Sequence, residues 1–401
     1  MKISEKFKVI FDEETGRKLV QLTQGNGFCY PLYYFIPSIT RDNRYIIYHK
    51  AQDNEVQLYK LDLHTACSTQ LTNAVCPNTH WRQWCIDPGK GVLDHRSVLN
   101  TEKNEVIYFD GPLGNDVRCV NIETLEDRRL FTLDEDRAAI GQNCVTPDGK
   151  WFVYIHADRK KYDSIFREGT NNQVWSLRSS VKGTALCAYH LETGEHRTLL
   201  RINSPIHHVI AYDNHHVVFC HLADENSMLL TRLEGGWYTH MRTQDDDGGC
   251  VCHYVNTKKG IAYEVLRDNG SGAIAGIYNP FSNKKYEFRL PEFFGYTHTG
   301  CDEEGRLFFY ENMTTWMNEP DCIHDMFFLK KHDREQGDQW VKLIGNRRTY
   351  RLGQKAHFHP RLVGDRNWIL FTGGDAVSQT NQLFLMDISD LSDTEGIPDL
   401  L

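Results

Sequence analysis

Short runs of apolar residues, separated by turns rich in Asp, Asn, Gly and Lys, recur along the whole chain. The first copy, SITRDNRYIIYHKAQDNEVQLYKLDLHTACSTQLT at residues 38–72, reads as a short strand, a turn, two longer strands and a final strand of the QLT type. Six further copies start near residues 97, 144, 207, 252, 297 and 359. Four strands in each of several regular copies are the content of propeller blades. The pattern therefore predicts an all-β fold, a seven-bladed β-propeller.

The two ends of the chain complete this prediction. The seventh copy, HPRLVGDRNWILFTGGDAVSQTNQLFLMDIS, stops without its fourth strand, whereas GRKLVQLT at residues 16–23 is a spare strand of that kind. An N-terminal strand that completes the last blade closes the ring and removes its open edges. We therefore expect a single domain, residues 1–401, closed by an N-terminal strand. A β-sandwich or two smaller β-domains would explain neither the period nor the spare strand.

Composition narrows the classes of partner. The chain is 40% hydrophobic, which allows a sizeable core, and its formal charge of −9, with no Lys/Arg cluster, argues against nucleic acid. Its longest apolar runs are far too short to span a membrane. The start, MKISEKFKVIFDEETG, has no apolar core of a signal peptide, and the 12 cysteines form no CxxC pair. We expect reduced cysteines and a cytoplasmic location.

Histidines occupy one position of the repeat in consecutive copies. Seven residues before the first turn of their copies lie His208, His253, His298 and His359, with Gln142 in the third copy and His95 close to the matching place in the second. Because the first strand of each blade lines the central channel, equivalent positions face one another there. Any one of these residues alone is consistent with a hydrogen-bonded polar residue beside a channel. Four in succession, among only 19 histidines, indicate a ligand pocket that includes His208 and Gln142.

The segment GQKAHFHPRLVGD, residues 353–365, predicts a metal site. In an extended chain His357 and His359 point to the same face, Gln354 arrives from the preceding turn, and His298 stands in the neighbouring blade. Three imidazoles and one carboxamide oxygen form a neutral ligand set for a divalent metal and leave positions open for a substrate. Zinc, iron, nickel and manganese all suit such a set. The alternative is a polar strand at the surface.

Several segments, among them DEETGRKLVQLT, NGFCYPLYYFIPSITRDNRYIIY and HPRLVGDRNWILFT, resemble the oligogalacturonate lyases of polysaccharide lyase family 22. Members of that family are seven-bladed propellers with a manganese site. QKAHFHP is similar to the family's Gln-x-x-His-x-His-Pro run, and YTHTGCDEEG to the segment with its remaining ligand. The resemblance thus implies Gln354, His357, His359 and His298 as ligands of Mn²⁺ or another divalent metal. GGCVCHYVNTKKG resembles the segment of the catalytic base, which implies His253 in that role.

The reaction implied by this resemblance is β-elimination on short oligogalacturonides such as digalacturonate, ending in a ketodeoxyuronate. The metal would bind the uronate carboxylate and His253 would accept the C5 proton. The position of the family's active-site arginine corresponds to a residue near Ser227 in this chain. Arg232 follows further along the strand, and we assign the catalytic arginine to it. Tyr30, in FCYPLYY, replaces a family histidine and is assigned to the substrate side.

One loop has no counterpart in the family. HWRQWCIDPGKGVLDHR, residues 80–96, holds Trp81, which would stack on a sugar ring, and Arg82 or Arg96, which would pair with a carboxylate. The alternative is a loop folded over its own apolar residues. A lyase for a different uronate-containing oligosaccharide therefore stays open beside digalacturonate.

Other classes of propeller fit the residues less well. A non-catalytic binding propeller needs no clustered metal ligands. A glycoside hydrolase needs two carboxylates, which are absent from the inner-strand positions that the repeat assigns. A propeller peptidase needs a second, α/β domain, for which no residues are left over. The oligomeric state is left open.

Overall fold

The structure is a computed structural model. It describes residues 1–77, 89–93, 95–166, 183–221, 227–242, 249–267, 273–292, 294, 296–313, 321–333, 335–350, 356–364, 367–391 and 394. Within these ranges the strands pair into seven separate, mainly antiparallel sheets. The seven-bladed β-propeller predicted from the repeat is confirmed.

Each blade is a sheet whose strands follow the chain outward from the axis. Blade 1 comprises Phe28–Pro31, Tyr45–Gln52, Glu55–Asp62 and Cys67–Gln70, with the short additions Cys76–Pro77 and Lys90–Gly91. Blade 2 comprises Val98–Asn100, Glu105–Asp110, Asp116–Asn121 and Asp127–Thr132. Blade 3 comprises Arg137–Val145, Trp151–Asp158, Thr184–His190 and His196–Ile202. Blade 4 comprises Ile206–Ala211, His216–His221, Met228–Arg232 and Tyr238–Arg242.

The remaining blades follow the same order. Blade 5 comprises Gly249–Thr257, Gly260–Arg267, Ile274–Asn279 and Lys284–Arg289. Blade 6 comprises Tyr296–Cys301, Phe308–Met313, Asp321–Lys331 and Gln339–Tyr350. Blade 7 comprises Arg361–Val363, Trp368–Asp375, Thr380–Asp387 and then, from the N-terminus, Lys18–Gln21 and Lys8–Phe11. Outside the sheets lie the α-helix Arg159–Phe166 and the 3₁₀-helix Ser389–Leu391.

The N-terminus closes the ring as predicted. Leu19 lies opposite Met386, and the backbone N–H of Leu22 donates to the carbonyl of Leu383 at 2.8 Å. The spare strand is therefore the fourth strand of blade 7. The structure adds Lys8–Phe11 outside it as a fifth strand, which the repeat did not predict.

Apolar side chains between the blades form the core. The largest fully buried ones are aromatic: Tyr30, Tyr33, Tyr108, Tyr254, Tyr263, Tyr310, Phe109, Phe152, Phe219, Phe308, Phe309 and Phe328. Of the nine cysteines whose side chains the structure describes, eight are buried. They act as small apolar side chains, as the sequence predicts. Among the described residues there is no helix whose length and apolar character would let it cross a membrane.

Candidate metal and catalytic centre

Blades 3 to 7 each present one side chain to the channel at a fixed distance before their first turn. The turn between the first and second strands of a blade starts after a residue whose backbone pairs with the residue that ends the turn. In blades 2 to 7 the residues before this turn are Asn100, Thr146, Tyr212, Thr257, Asp302 and Val363. Four residues before them stand Arg96, Gln142, His208, His253, His298 and His359.

In blade 2 it is His95, one residue before Arg96, that has a left-handed backbone like those of His253 and His359, with φ of 55°. Its ring centroid lies 6.1 Å from that of Tyr33 and 6.3 Å from that of His359, close to the matching place as the repeat predicts. We call His95, Gln142, His208, His253, His298 and His359 the channel ring.

Four histidines of the channel ring lie side by side. Ring centroids are 6.3 Å apart for His208 and His253, 4.3 Å for His253 and His298, and 4.6 Å for His298 and His359. All four side chains are buried. The convergence predicted from the repeat is therefore present in the structure.

Irregular backbone aims several of these side chains. The pairing of the first two strands shifts register around Gln142, His208 and His253, which marks a β-bulge at each. Such bulges re-aim side chains beside active sites. His253 and His359 also have left-handed backbones, with φ of 51° and 45°. A non-glycine residue held in this region costs on the order of 1–3 kcal/mol and clusters at functional sites.

Three histidines form a candidate metal site. Ligand atoms of His298, His357 and His359 all lie within 4.8 Å of one another, and the three side chains are buried. The sequence attributed the approach of His357 and His359 to an extended strand, and this explanation is wrong. The strand begins only at Arg361, and the left-handed turn at His359 brings the two rings to 5.5 Å.

The chemistry of this cluster fits a divalent cation. Burial lowers the pKa of His357 and His359 well below the usual value, with His298 adding to the effect, so both rings are neutral near pH 7. Within the described part of the chain, neither ring nitrogen of His359 has a hydrogen-bond partner. Neutral imidazoles with available lone pairs are what a metal requires. Gln354, the fourth predicted ligand, lies outside the described residues.

A buried carboxylate, Glu311, ties the cluster together. Its oxygens lie 2.8 Å from Nδ1 of His298 and 2.7 Å from Nδ1 of His324. The same carboxylate accepts from the backbone N–H of Phe358 at 2.8 Å and of His359 at 3.3 Å. Burial works against its charge, but the imidazoles of His298 and His324 outweigh burial and hold its pKa well below the usual range.

Glu311 also fixes the orientation of His298. Burial, together with His253, lowers the pKa of His298 to about 4, so the ring is neutral and donates Nδ1–H to the carboxylate. Nε2 is then the nitrogen with the available lone pair. A carboxylate behind a histidine is the usual support of a metal-binding imidazole.

His253 has the same support in the neighbouring blade. Its Nδ1 lies 3.2 Å from Oε2 of Glu264, whose other oxygen accepts a hydrogen bond from the hydroxyl of Thr299. Glu264 and Glu311 occupy the same position in blades 5 and 6, four residues into the second strand counted from Gly260 and from Leu307. In the neutral ring that donates Nδ1–H to Glu264, the lone pair is on Nε2.

Residues 32–36 bring aromatic rings into the channel beside the histidines. The ring of Tyr33 stacks on His208 at 5.4 Å, and its hydroxyl lies 3.1 Å from Nε2 of that histidine. The ring of Tyr34 lies 5.7 Å from His253 and 5.3 Å from His298. This segment therefore forms an aromatic wall shared by the candidate base and the candidate metal ligands.

The other predicted site residues fall in three places. Tyr30 is buried and stacks on His49 at 5.0 Å and on His95 at 5.2 Å, on the blade 1 and 2 side of the channel. Arg232 is exposed, with its guanidinium over Trp237 at 5.0 Å. Trp81 and Arg82 lie outside the described residues.

The position of Arg232 argues against a role at this centre. Along its strand, Met228 lies opposite Cys220, whose thiol is 3.8 Å from Nδ1 of His208. Arg232 is four residues further along, roughly 13 Å at the rise of a β-strand. Its Cα lies opposite that of His216, which is not a member of the channel ring. The prediction of Arg232 as a catalytic residue is therefore not supported by its location.

Glu264, Glu311 and Tyr33 are the main residues that the sequence analysis missed. The repeat was aligned for the first strand of each blade, where carboxylates are indeed absent. The same count on the second strand, four residues after the turn, would have selected Cys220, Glu264 and Glu311 behind three of the ring histidines. The signal was present one strand further out.

The family model and the curated relatives that match this chain indicate the same family. The sequence model of oligogalacturonate lyase matches residues 1–272. The oligogalacturonate lyase of Dickeya dadantii is 24% identical over 392 residues, 92% of this chain and 94% of that protein.

Solved structures share the fold. A structure described as oligogalacturonate lyase in complex with manganese has a TM-score of 0.77 at 19% identity and covers 98% of this chain and 100% of its own. The oligogalacturonate lyase of Vibrio parahaemolyticus has a TM-score of 0.76 at 18% identity, with 97% and 98% covered. The family match spans more than half of the chain, and the chain therefore belongs to the oligogalacturonate lyase family.

Proposed function

We propose that this protein cleaves short oligogalacturonides by metal-dependent β-elimination, with digalacturonate as its smallest substrate. The observation that carries the proposal is the pair of neighbouring histidines 4.3 Å apart, each backed by a buried carboxylate. One of them, His298, belongs to the three-histidine cluster that fits a cation. The other, His253, is not a member of that cluster. A metal ligand and a base side by side are what proton abstraction next to a carboxylate requires.

His298, His357 and His359, with Gln354, would hold the metal. We assign manganese because a structural relative is described in complex with it. When bound, such a cation neutralises the uronate C6 carboxylate and so acidifies the C5–H bond. Glu311 keeps His298 in the tautomer that offers Nε2, and it holds the backbone before and at His359 through two N–H bonds.

His253 is the proposed base. Its Nδ1–H faces Glu264, so Nε2 accepts the C5 proton, and the carboxylate stabilises the imidazolium that results. The electron pair of the C5–H bond becomes the C4–C5 double bond, and the C4–O bond breaks. The departing sugar keeps the glycosidic oxygen with the electron pair of the C4–O bond, and this oxygen takes up a proton from water, while His253 later returns its proton to solvent. The unsaturated uronate then rearranges to a ketodeoxyuronate.

Substrate contacts are proposed along the rest of the channel. His208, held by the hydroxyl of Tyr33, and Gln142 belong to the channel ring, and Tyr30 lies on its blade 1 and 2 side. Trp81 and Arg82 keep their proposed roles in stacking and carboxylate binding. Arg232 has no part in this mechanism, because it is exposed and stacks on Trp237.

A lyase for a different short uronate oligosaccharide is the second candidate. Ser227 is fully buried, and it stands where the resemblance places an active-site arginine. A hydroxyl at this position cannot supply the charge that an arginine gives to a substrate carboxylate. The departure changes the preferred sugar rather than the reaction.

Product masses test the proposal. Metal-loaded protein is incubated with digalacturonate and the products are measured by mass spectrometry. Elimination gives galacturonate and a ketodeoxyuronate whose masses add up to that of the substrate. Two galacturonates, which add up to the substrate plus one water, would indicate hydrolysis and contradict the proposal. Turnover only with another uronate dimer would select the second candidate.

A further inference from the structure

The first strand of blade 1 is interrupted by residues 32–37. Pro31 lies opposite Tyr48 on the second strand, and the next pair toward the turn joins the backbone N–H of Ile47 to the carbonyl of Ser38 at 2.7 Å. One step along the second strand therefore corresponds to six extra residues on the first. We call residues 32–37 the channel plug. The backbone N–H of its first residue donates to Oγ of Ser38 at 3.1 Å, which ties its two ends together.

The channel plug is attached on one side of the histidines, the side of the first turns. In blade 6, His298 lies opposite Glu311, which is four residues after the residue that closes the first turn. The pair at the same height in blade 1 is Tyr30 with His49. The channel plug begins two residues after Tyr30, so it leaves the strand nearer the turn than the level of His298.

Rings of the channel plug reach across the channel to other blades. The rings of Tyr33 and Phe35 contact those of four residues in blades 2, 4, 5 and 7, at centroid distances from 5.0 to 6.3 Å: His95, His208, Tyr254 and His359. Arg361 of blade 7 donates Nη1–H to the carbonyl of Tyr34 at 3.0 Å and so holds the far end. The channel plug therefore blocks the channel on the first-turn side, and a substrate reaches the histidines from the other face.

Tyr34 is the plug residue at the candidate reaction centre. Its ring centroid lies 5.7 Å from that of His253, 5.3 Å from that of His298 and 6.0 Å from that of His359. The ring thus contacts the proposed base and two of the proposed metal ligands at once. A uronate whose C5–H bond faces His253 and whose carboxylate faces the three-histidine cluster lies beside this ring.

We propose that the ring of Tyr34 is the surface on which the reacting uronate lies, the sugar that loses its C5 proton. This inference rests on the proposed function. The C–H groups on one face of a sugar ring pack on an aromatic face, which offers a large and rigid apolar surface. Contact with Tyr34 sets the tilt of the sugar, so that C5 faces His253 while the carboxylate faces the three-histidine cluster.

Binding measurements in a protein that does not turn over substrate test this assignment. In a His253→Ala background loaded with Mn²⁺, calorimetry gives the Kd values of digalacturonate and of galacturonate. Tyr34→Phe keeps the ring, whereas Tyr34→Leu replaces it with an aliphatic side chain. Phe152→Leu is the matched control for lost core packing, because that fully buried ring packs on Phe109 and Tyr154. Thermal unfolding and Mn²⁺ affinity check that each variant is folded.

Tyr34→Leu is expected to weaken galacturonate and digalacturonate by the same factor, about 10-fold or more, because both place a uronate on the ring. Both sugars should stay within about threefold in Tyr34→Phe and Phe152→Leu, and Mn²⁺ within about threefold in every variant. Unchanged uronate affinity in Tyr34→Leu, or a loss for the dimer alone, would overturn the inference. An equal loss in Tyr34→Phe would also overturn it, since the hydroxyl rather than the ring would then make the contact.

The same experiment separates this inference from the proposed function. If Tyr34→Leu does not fold, Tyr34→Met takes its place, because an unbranched side chain adapts to irregular space. Weaker galacturonate binding in Tyr34→Leu, together with hydrolysis products from the parent protein, would contradict the proposed function and keep Tyr34 as a uronate contact. Metal-loaded protein that binds neither sugar would overturn both proposals.

Discussion

Glu311→Gln is the substitution that examines the candidate metal centre most sharply. The carboxylate has four nitrogen atoms within 3.3 Å: Nδ1 of His298 and of His324, and the backbone nitrogens of Phe358 and His359. The substitution replaces one carboxylate oxygen with an NH₂ group, which cannot accept, so the donors facing it lose their acceptor. The remaining oxygen makes neutral bonds, worth about 1 kcal/mol, in place of charged ones worth about 1.5–3 kcal/mol.

The expected consequence is a weaker metal site in a folded protein. Loss of a carboxylate behind a metal-binding histidine typically lowers metal affinity 10- to 100-fold, or about 1.4–2.7 kcal/mol. Isothermal titration with Mn²⁺ measures this directly, without reference to turnover. Glu264→Gln is the matched control, because it removes the same support from His253, which is not a proposed ligand. Its Mn²⁺ affinity should stay within about threefold.

The comparison can refute the assignment of roles. If Glu311→Gln bound Mn²⁺ like the parent protein while Glu264→Gln lost affinity, the metal would lie on the His253 side. If neither variant changed its affinity and both unfolded cooperatively, the three-histidine cluster would not be the metal site. Urea unfolding of both variants separates a weakened site from a weakened fold.

Three further outcomes are expected. His253→Ala should lower the turnover of digalacturonate at least about 100-fold while Mn²⁺ affinity stays within about threefold; turnover near that of the parent would remove His253 as the base. In chelator, the free energy of unfolding should fall by at least about 3 kcal/mol as the pH is lowered from 6.5 to 4. His298 alone accounts for about 3 kcal/mol, because the unfolded chain protonates it near pH 6.5 and the folded chain only at about 4, and His357 and His359 act in the same direction. Urea titrations at several pH values measure this fall, and a flat profile would contradict the buried neutral imidazoles. Gly300→Ala should lower the free energy of unfolding by about 1–3 kcal/mol, since a Cβ there collides with the ring of Phe309; an unchanged urea midpoint would show that the blade absorbs it.

The fold was largely predictable because each blade has its own local sequence pattern. Alternating apolar runs and turn residues mark each blade, and the spare strand GRKLVQLT anticipated the pairing of Leu19 with Met386. The outer strand Lys8–Phe11 was not predicted, because its side chains are mostly exposed and carry no burial pattern.

The site was predictable where it depends on the repeat and not where it depends on contacts between strands. Four of the ring histidines share one place relative to the turn, so counting found them. Glu264 and Glu311 lie 11 and 13 residues from the histidines they support, and only the pairing of first and second strands brings them together. The approach of His357 to His359 comes from a left-handed residue, a conformation that the sequence pattern does not announce.

The aromatic wall was unpredictable for a different reason. The run YPLYYF has the composition of an ordinary buried strand, yet the residues after Pro31 leave the sheet and place Tyr33 and Tyr34 beside the histidines. The repeat had nothing comparable at this point of the first copy. Where an irregular segment departs from a repeat, the other copies no longer indicate where its side chains lie.

Turnover of digalacturonate before and after removal of the metal tests the central claim most directly. The protein is assayed for ketodeoxyuronate release as purified with Mn²⁺, after exhaustive chelation, and after Mn²⁺ is restored. The account predicts release that disappears on chelation and returns with the metal. Release that continues unchanged in the chelated protein would show that the three-histidine cluster is not needed for the reaction, and the proposed mechanism would be wrong.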